Sequence, residues 1–118
     1  MKKFIRSLRH AFRGLRHVAR TELSFRIQLF AAFLVCVAMF VLPLDIWERI
    51  LLILMIAAVL VLEVINSIFE RISDALKPRL HPMVRDVKDM MAGAVLLTSV
   101  TAVVVGVFIF LPYVSKLL

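Results

Sequence analysis

Three long apolar segments, separated by short polar ones, dominate the chain. They run over residues 27–44, 46–69 and 90–114, and each is close to or above the roughly 20 residues that a helix needs to cross a hydrocarbon core. The sequence contains no alternation at the length of a barrel strand, so helices are the structure that can satisfy the backbone in lipid. The pattern predicts an all-α membrane protein with three transmembrane helices.

The segment before the first span, residues 1–26, combines basic side chains with a regular apolar stripe. The apolar positions recur every three or four residues and are Phe4, Leu8, Phe12, Leu15 and Ala19. This spacing is typical of an amphipathic helix that lies on an anionic membrane surface. We therefore predict an N-terminal surface helix over residues 1–26.

Composition and charge agree with a membrane location. At 118 residues the chain forms one domain, residues 1–118, of which 63% is hydrophobic, and its mean hydropathy is +1.00. The formal net charge of +7 lies entirely in residues 1–26, where eight Lys or Arg side chains face one acid, Glu22. No aromatic stacking platform or known nucleic-acid module accompanies this charge, so we expect no nucleic-acid partner.

The distribution of basic residues between the loops predicts the orientation. If the N-terminus is cytoplasmic, residues 1–26 and 70–89 lie inside and carry thirteen Lys or Arg side chains, whereas the outside segments carry only Arg49 and Lys116. Cytoplasmic loops are enriched in Lys and Arg. We therefore expect a multi-pass protein whose N-terminus is cytoplasmic.

Four polar side chains follow one another at the cytoplasmic end of the second span. Glu63, Asn66, Glu70 and Asp74 fall within an arc of roughly 80° on one helix face. Polar side chains can simply join helices in membranes. A charged residue at the centre of a span, however, costs about 2.5 to 3.5 kcal/mol and usually marks a functional site, so a functional role is favoured.

Two kinds of chemistry use carboxylates at a membrane. Mg²⁺ is held by one or two carboxylates together with substrate phosphates, and a further carboxylate can act as general base toward a hydroxyl. Basic residues after the stripe, among them Lys77, Arg79 and Lys88, could then neutralise a phosphoryl group. The alternative is a small oligomeric ion-coupled transporter that uses Glu63, although transporter sites tend to lie at the membrane midplane.

Five segments together resemble a known family. They are Thr21–Arg26 (TELSFR), Glu63–Glu70 (EVINSIFE), Asp74, Leu80–Pro82 (LHP) and Lys88–Leu96 (KDMMAGAVL). Their order and spacing are similar to those of the small bacterial integral-membrane lipid kinases, the prokaryotic diacylglycerol kinase and undecaprenol kinase family. The resemblance covers nearly the whole chain. It implies a homotrimer in the bacterial inner membrane that uses Mg²⁺ and ATP to phosphorylate a lipid alcohol, undecaprenol or diacylglycerol.

The resemblance also implies roles for single residues. Glu63 matches the family's general base, which meets the lipid hydroxyl, and Asp74 borders the lipid. Glu22 and Glu70 match carboxylates that hold Mg²⁺ on the ATP phosphates. The other residues expected at the ATP site are Asn66, His81, Lys88 and Asp89.

Gln28 departs from the family pattern, because diacylglycerol kinases of the proteobacterial type have an acid there and undecaprenol-type members often have His. This position therefore does not identify the acceptor. The pair His81–Pro82 and the ending Phe110–Tyr113 look more like the undecaprenol kinase branch. On this resemblance we favour undecaprenol.

Overall fold

A computed structural model describes residues 1–76 and 81–118 of the chain, and of His81 the backbone alone. The helices are α1 (Lys2–Thr21), α2 (Leu23–Val41), α3 (Ile46–Leu76) and α4 (His81–Leu117). The last three are long and apolar enough to cross a membrane. The predicted architecture of three transmembrane helices behind an N-terminal helix is confirmed.

The first helix ends earlier than the predicted residue 26. Glu22 separates α1 from α2 with an extended backbone, at φ −113° and ψ 112°. Arg26 folds back from α2, and its Nη1 donates hydrogen bonds of 2.9 Å to the carbonyls of Ala19 and Arg20. Its guanidinium thus pairs two carbonyls that the end of α1 leaves without helical partners, and its charge complements the helix dipole.

The C-terminal half of α1 packs beside α2 and α3. Phe12, Leu15 and Ala19 line a cavity of about 750 Å³ whose other walls include Phe25 of α2 and Val64 of α3. Val18 and Phe25 are buried, whereas the basic side chains of α1 are exposed. Phe4 and Leu8, at the start of the predicted stripe, are 63% and 44% exposed and lie outside this cavity, whereas Arg16 is part of its lining. The stripe therefore meets the bundle through its C-terminal half.

The central helix is α3, which contacts α1, α2 and most extensively α4. In the part of the chain that the structure describes, no Cα atom of α2 comes within 8 Å of one in α4. An apolar cleft of about 470 Å³ lies between these two helices along α3. We call it the α2–α4 cleft, and its residues are Gln28, Ala31, Ala32, Val35, Leu52, Met55, Ile56, Val59, Leu60, Ser99, Ala102, Val103, Gly106, Val107 and Phe110.

Hydrogen bonds hold the bundle together at the end farther from α1. Asp45 and Glu48 form a reciprocal cap at the start of α3, because the backbone N–H of each donates to the carboxylate of the other, at 3.1 and 2.9 Å. The Tyr113 hydroxyl of α4 donates to Oε1 of Glu48 at 2.6 Å. A small core of Met39, Leu44, Leu52 and Ile109 packs beside them.

Candidate active site

Glu63 lies inside the bundle, only 5% exposed, and both of its carboxylate oxygens accept hydrogen bonds from α2. Ser24 Oγ donates to Oε1 at 2.8 Å, and Gln28 Nε2 donates to Oε2 at 3.4 Å. Ser24 and Gln28 are four residues apart, so they lie on one face of α2. A buried carboxylate is costly unless it is hydrogen-bonded, and these two neutral donors orient Glu63 toward α2.

Glu22, at the break between α1 and α2, contacts α3 one turn beyond Glu63. Its Oε1 accepts a hydrogen bond of 3.2 Å from Ser67 Oγ, and Ser67 is only 2% exposed. One further turn along α3, Arg71 Nη2 donates to Thr21 Oγ1 at 3.0 Å. The start of α2 therefore runs antiparallel to this part of α3, which brings the carboxylates of Glu22 and Glu63 to neighbouring turns.

Asn66 and Glu70 form a pair on the same helix. Asn66 Nδ2 donates to Glu70 Oε1 at 3.4 Å, and both side chains are half-buried. A carboxylate has about four lone-pair sites. Glu70 accepts one hydrogen bond from Asn66, and Glu22 accepts one from Ser67, so each carboxylate can still bind a cation. Both carboxylates therefore fit the role of Mg²⁺ ligands.

In the described residues, no group of three or more His, Cys, Asp or Glu side chains could hold a metal ion. Mg²⁺ does not need such a cage, since one or two carboxylates and the substrate phosphates are its usual ligands. The assignment of Mg²⁺ to Glu22 and Glu70 stays a prediction.

Lys88 lies across from Asp74, the last member of the polar stripe. Its Nζ is 2.9 Å from Asp74 Oδ1, and the two side chains are 32% and 65% exposed, respectively. Such exposed ion pairs contribute at most about 1 kcal/mol. Lys88 is thus held close to the last acid of the polar stripe, in an ion pair that solvent reaches.

Two further predicted residues lie on α4. Asp89 is exposed, next to Lys88. His81 is the first residue of α4, but its side chain lies outside the described part of the chain, as do Lys77 and Arg79. The roles expected for these residues stay predictions.

Sequence reasoning assigned no site role to Ser24 and Ser67, which donate to Glu63 and Glu22. Ser67 follows Glu63 by four positions, a spacing that places it on the polar face of α3. Ser24 stands two residues after Glu22, inside the segment that carries the resemblance. These positions were the available signal, and neither identifies the acid that the serine contacts.

The sequence is similar to a known protein family. Residues 9–110 match the family described as prokaryotic diacylglycerol kinase. An undecaprenol kinase of Bacillus subtilis (strain 168) is 35% identical over 112 residues, which cover 95% of this chain and 91% of the relative. A diacylglycerol kinase of Synechocystis sp. is 34% identical over a stretch that covers 90% of this chain and 61% of the relative. A diacylglycerol kinase of Escherichia coli (strain K12) is 30% identical over a stretch that covers 86% of this chain and 84% of the relative. These matches favour a kinase over the ion-coupled transporter. The chain belongs to the prokaryotic diacylglycerol kinase family and is an ATP-dependent lipid kinase.

Proposed function

We propose that this lipid kinase transfers the γ-phosphate of ATP to the hydroxyl of undecaprenol and so makes undecaprenyl phosphate. The observation that carries the reaction is the buried Glu63 carboxylate, oriented by two neutral donors at one end of an apolar bundle. The choice of undecaprenol rests on the Bacillus subtilis relative, which covers nearly the whole chain, and on the similarity of His81–Pro82 and Phe110–Tyr113 to that branch. Diacylglycerol is the second candidate, because two relatives are named diacylglycerol kinases.

Glu63 acts as the general base. The lipid oxygen forms a bond to the γ-phosphorus while the bond from that phosphorus to the bridging oxygen of ADP breaks, and the hydroxyl proton passes to Glu63. Ser24 and Gln28 hold the carboxylate in one orientation, so it does not have to be ordered when the lipid arrives.

Glu22 and Glu70 would hold Mg²⁺, and Asn66 and Lys88 complete the nucleotide site. When bound, Mg²⁺ neutralises charge on the phosphate oxygens. Ser67 fixes the carboxylate of Glu22, and Asn66 fixes that of Glu70. Lys88 leaves the exposed Asp74 carboxylate for the γ-phosphate, an exchange favoured by the greater charge of the phosphate. His81 and Asp89 border the nucleotide, and Asp74 borders the lipid.

Three chains form a homotrimer in the bacterial inner membrane, with the N-terminus and the active site cytoplasmic. The resemblance to the family supports the trimer, and the excess of basic residues in segments 1–26 and 70–89 supports the orientation. Large apolar side chains such as Phe30, Phe40 and Phe108 are more than 60% exposed on the single chain. These surfaces fit contact with lipid or with a neighbouring chain.

The test uses purified protein in bilayer nanodiscs with γ-labelled ATP, Mg²⁺ and equal amounts of undecaprenol or diacylglycerol. We expect label in undecaprenol, with a kcat/KM at least about tenfold above that for diacylglycerol, a difference of roughly 1.4 kcal/mol in transition-state binding. The opposite preference would move the acceptor to diacylglycerol. Absence of label from both lipids, with folded protein, would overturn the proposed reaction.

A further inference from the structure

Arg71 lies where α1 meets α3, beside the carboxylates of the candidate site. It directly follows Glu70 on α3, and its Nη2 donates to the hydroxyl of Thr21, the residue before Glu22, at 3.0 Å. One turn back along α3, Ser67 donates to the Glu22 carboxylate. The guanidinium is therefore held close to the break between α1 and α2, where the two proposed Mg²⁺ ligands come together.

The charge of Arg71 is not neutralised by a carboxylate in the part of the chain that the structure describes. The salt bridge found there joins Lys88 to Asp74, and Arg71 takes no part in it. The partner of Arg71 is a neutral hydroxyl, which accepts its hydrogen bond because Thr21 Oγ1 itself donates to the His17 carbonyl at 2.9 Å. A guanidinium has five N–H donors, so several remain for a further partner.

The end of α1 does not depend on Arg71 for a compensating charge. The partial negative charge at a helix C-terminus attracts a cation. Arg26 already provides one, because its Nη1 donates to the carbonyls of Ala19 and Arg20. The hydrogen bond of Arg71 goes to a side chain of α1 instead. Its exposed guanidinium is therefore available to a ligand.

The candidate site requires positive charge in addition to Mg²⁺. Glu22, Glu63 and Glu70 bring three carboxylates to neighbouring turns, and the phosphates of ATP are themselves anionic. Like charges that come together repel one another, and Mg²⁺ offsets only part of this charge. Arg71 is the residue next to Glu70 and can supply a further cation at this place.

We propose that the Arg71 guanidinium binds the phosphates of ATP that remain on ADP after transfer. This inference rests on the proposed function, in which the γ-phosphate meets the lipid hydroxyl at Glu63. Arg71 lies roughly two turns, or about 12 Å, beyond Glu63 along α3, and the contact of Ser67 with Glu22 lies between them. The phosphates farther from the hydroxyl therefore come closest to Arg71.

The shape of the side chain suits this role. A guanidinium can bind phosphate oxygens through two parallel N–H···O bonds, whereas the ammonium of lysine acts as a point charge. Because ADP keeps the phosphates in question, Arg71 should contribute equally to the binding of ATP and of ADP. It should not affect the binding of the lipid.

The first test measures equilibrium binding of ATP and ADP, each with Mg²⁺, to wild type and Arg71→Gln in bilayer nanodiscs. Arg71 is exposed and glutamine is a good helix former, so the variant should fold. We expect the Kd of both nucleotides to rise about tenfold, with the KM for lipid unchanged. Arg71→Lys keeps the charge but not the fork and should recover only part of the affinity. Arg13→Gln, which removes another exposed cation, is the control and should bind both nucleotides as wild type does.

A second variant, Thr21→Val, separates phosphate binding from a structural role of Arg71. It removes the acceptor of the Arg71 hydrogen bond but keeps the guanidinium. We expect its Kd for ATP to stay close to the wild-type value. If Thr21→Val weakens nucleotide binding as much as Arg71→Gln does, Arg71 only joins α1 to α3 and the proposal is wrong.

The outcomes distinguish this proposal from the proposed function. If the wild type phosphorylates neither lipid, the proposed reaction fails, while the Kd values still test Arg71 because they do not depend on the acceptor. If the wild type phosphorylates lipid and Arg71→Gln binds both nucleotides with wild-type affinity, the reaction stands and the role of Arg71 is wrong. A loss confined to ATP would assign Arg71 to the γ-phosphate and would also contradict the proposal.

Discussion

At the scale of single residues, the proposed reaction depends on how the chain holds Glu63. A charged carboxylate in a transmembrane segment costs free energy. The Glu63 side chain is 5% exposed, and each of its oxygens accepts one hydrogen bond. The donors differ, because the Ser24 bond is 2.8 Å and the Gln28 bond is 3.4 Å. Ser24 is therefore the main orienting contact of the carboxylate.

Replacing Ser24 by Ala should lower kcat by about three- to tenfold, because one net hydrogen bond is worth roughly that factor. The carboxylate remains, so activity should not disappear. Initial rates at saturating ATP and lipid measure the effect. Ser115→Ala is the matched control, since its hydroxyl bonds only locally, to the Pro112 carbonyl. An unchanged kcat in Ser24→Ala would show that the carboxylate needs no such support.

The carboxylates of Glu22 and Glu70 should govern the response to Mg²⁺. Glu22→Gln and Glu70→Gln each remove a charged oxygen ligand, so the Mg²⁺ concentration for half-maximal rate should rise by about tenfold or more. Titration of initial rate with Mg²⁺ at fixed ATP measures this. Glu48→Gln, near the start of α3 and far along the helix from Glu70, should keep the wild-type response. Identical curves for all three variants would argue against both metal ligands.

The acids of the candidate site could be singled out from the sequence, but their hydrogen-bond partners could not. Glu63 and Glu70 stand out because charges are rare in apolar segments. A serine in such a segment is ordinarily a packing residue. Ser24 and Glu63 are 39 positions apart, and Glu22 and Ser67 are 45 apart. Only the antiparallel packing of α2 on α3 shows that these residues meet.

At the scale of helices, apolar length predicted the three transmembrane helices but not where helices end. The helix α3 continues past residue 69 to Leu76, α4 begins at His81 and not at residue 90, and α1 ends at Thr21. The segment after Thr21, ELSFR over residues 22–26, contains no glycine or proline that would stop the helix. The break at Glu22 depends on tertiary contacts, since Arg26 pairs with the carbonyls of Ala19 and Arg20 while Glu22 bonds Ser67. The local sequence pattern does not show these contacts.

The contact between Tyr113 and Glu48 should stabilise the pairing of α4 with α3. Its O···O distance is 2.6 Å, short as expected for a hydroxyl that donates to a carboxylate. Tyr113→Phe should therefore lower the melting temperature by roughly a few degrees and leave both KM values unchanged, because the contact lies far from Glu63. Thermal unfolding in detergent measures the first effect and steady-state kinetics the second. An unchanged melting temperature would mean that the hydrogen bond adds no net stability.

At the scale of the whole molecule, the two ends of the bundle differ in what they do. One end carries the break at Glu22, the acids of α3 and the Asp74–Lys88 pair, whereas the other is closed by the Asp45 and Glu48 cap and the small core. The α2–α4 cleft lies between them. The three apolar segments of the sequence predict the helical arrangement. They do not predict the cleft, because the cleft exists only where α2 and α4 do not contact each other.

The polar end should face the cytoplasm. ATP does not cross the bilayer, so inverted membrane vesicles, which expose their cytoplasmic face, should phosphorylate lipid when ATP is added outside, and right-side-out vesicles should not. Detergent permeabilisation should restore activity in the latter and serves as the control. Activity confined to right-side-out vesicles would reverse the orientation expected from the basic loops.

The most direct measurement is the rate of label transfer by Glu63→Gln at saturating ATP and lipid, together with ATP binding by the same protein. The amide keeps the size of the side chain but cannot take the hydroxyl proton. We expect the rate to fall by about 10² to 10⁴ relative to wild type, the usual contribution of a general base, with ATP binding and oligomeric state unchanged. A rate within about threefold of wild type would contradict the assignment of Glu63 as the base.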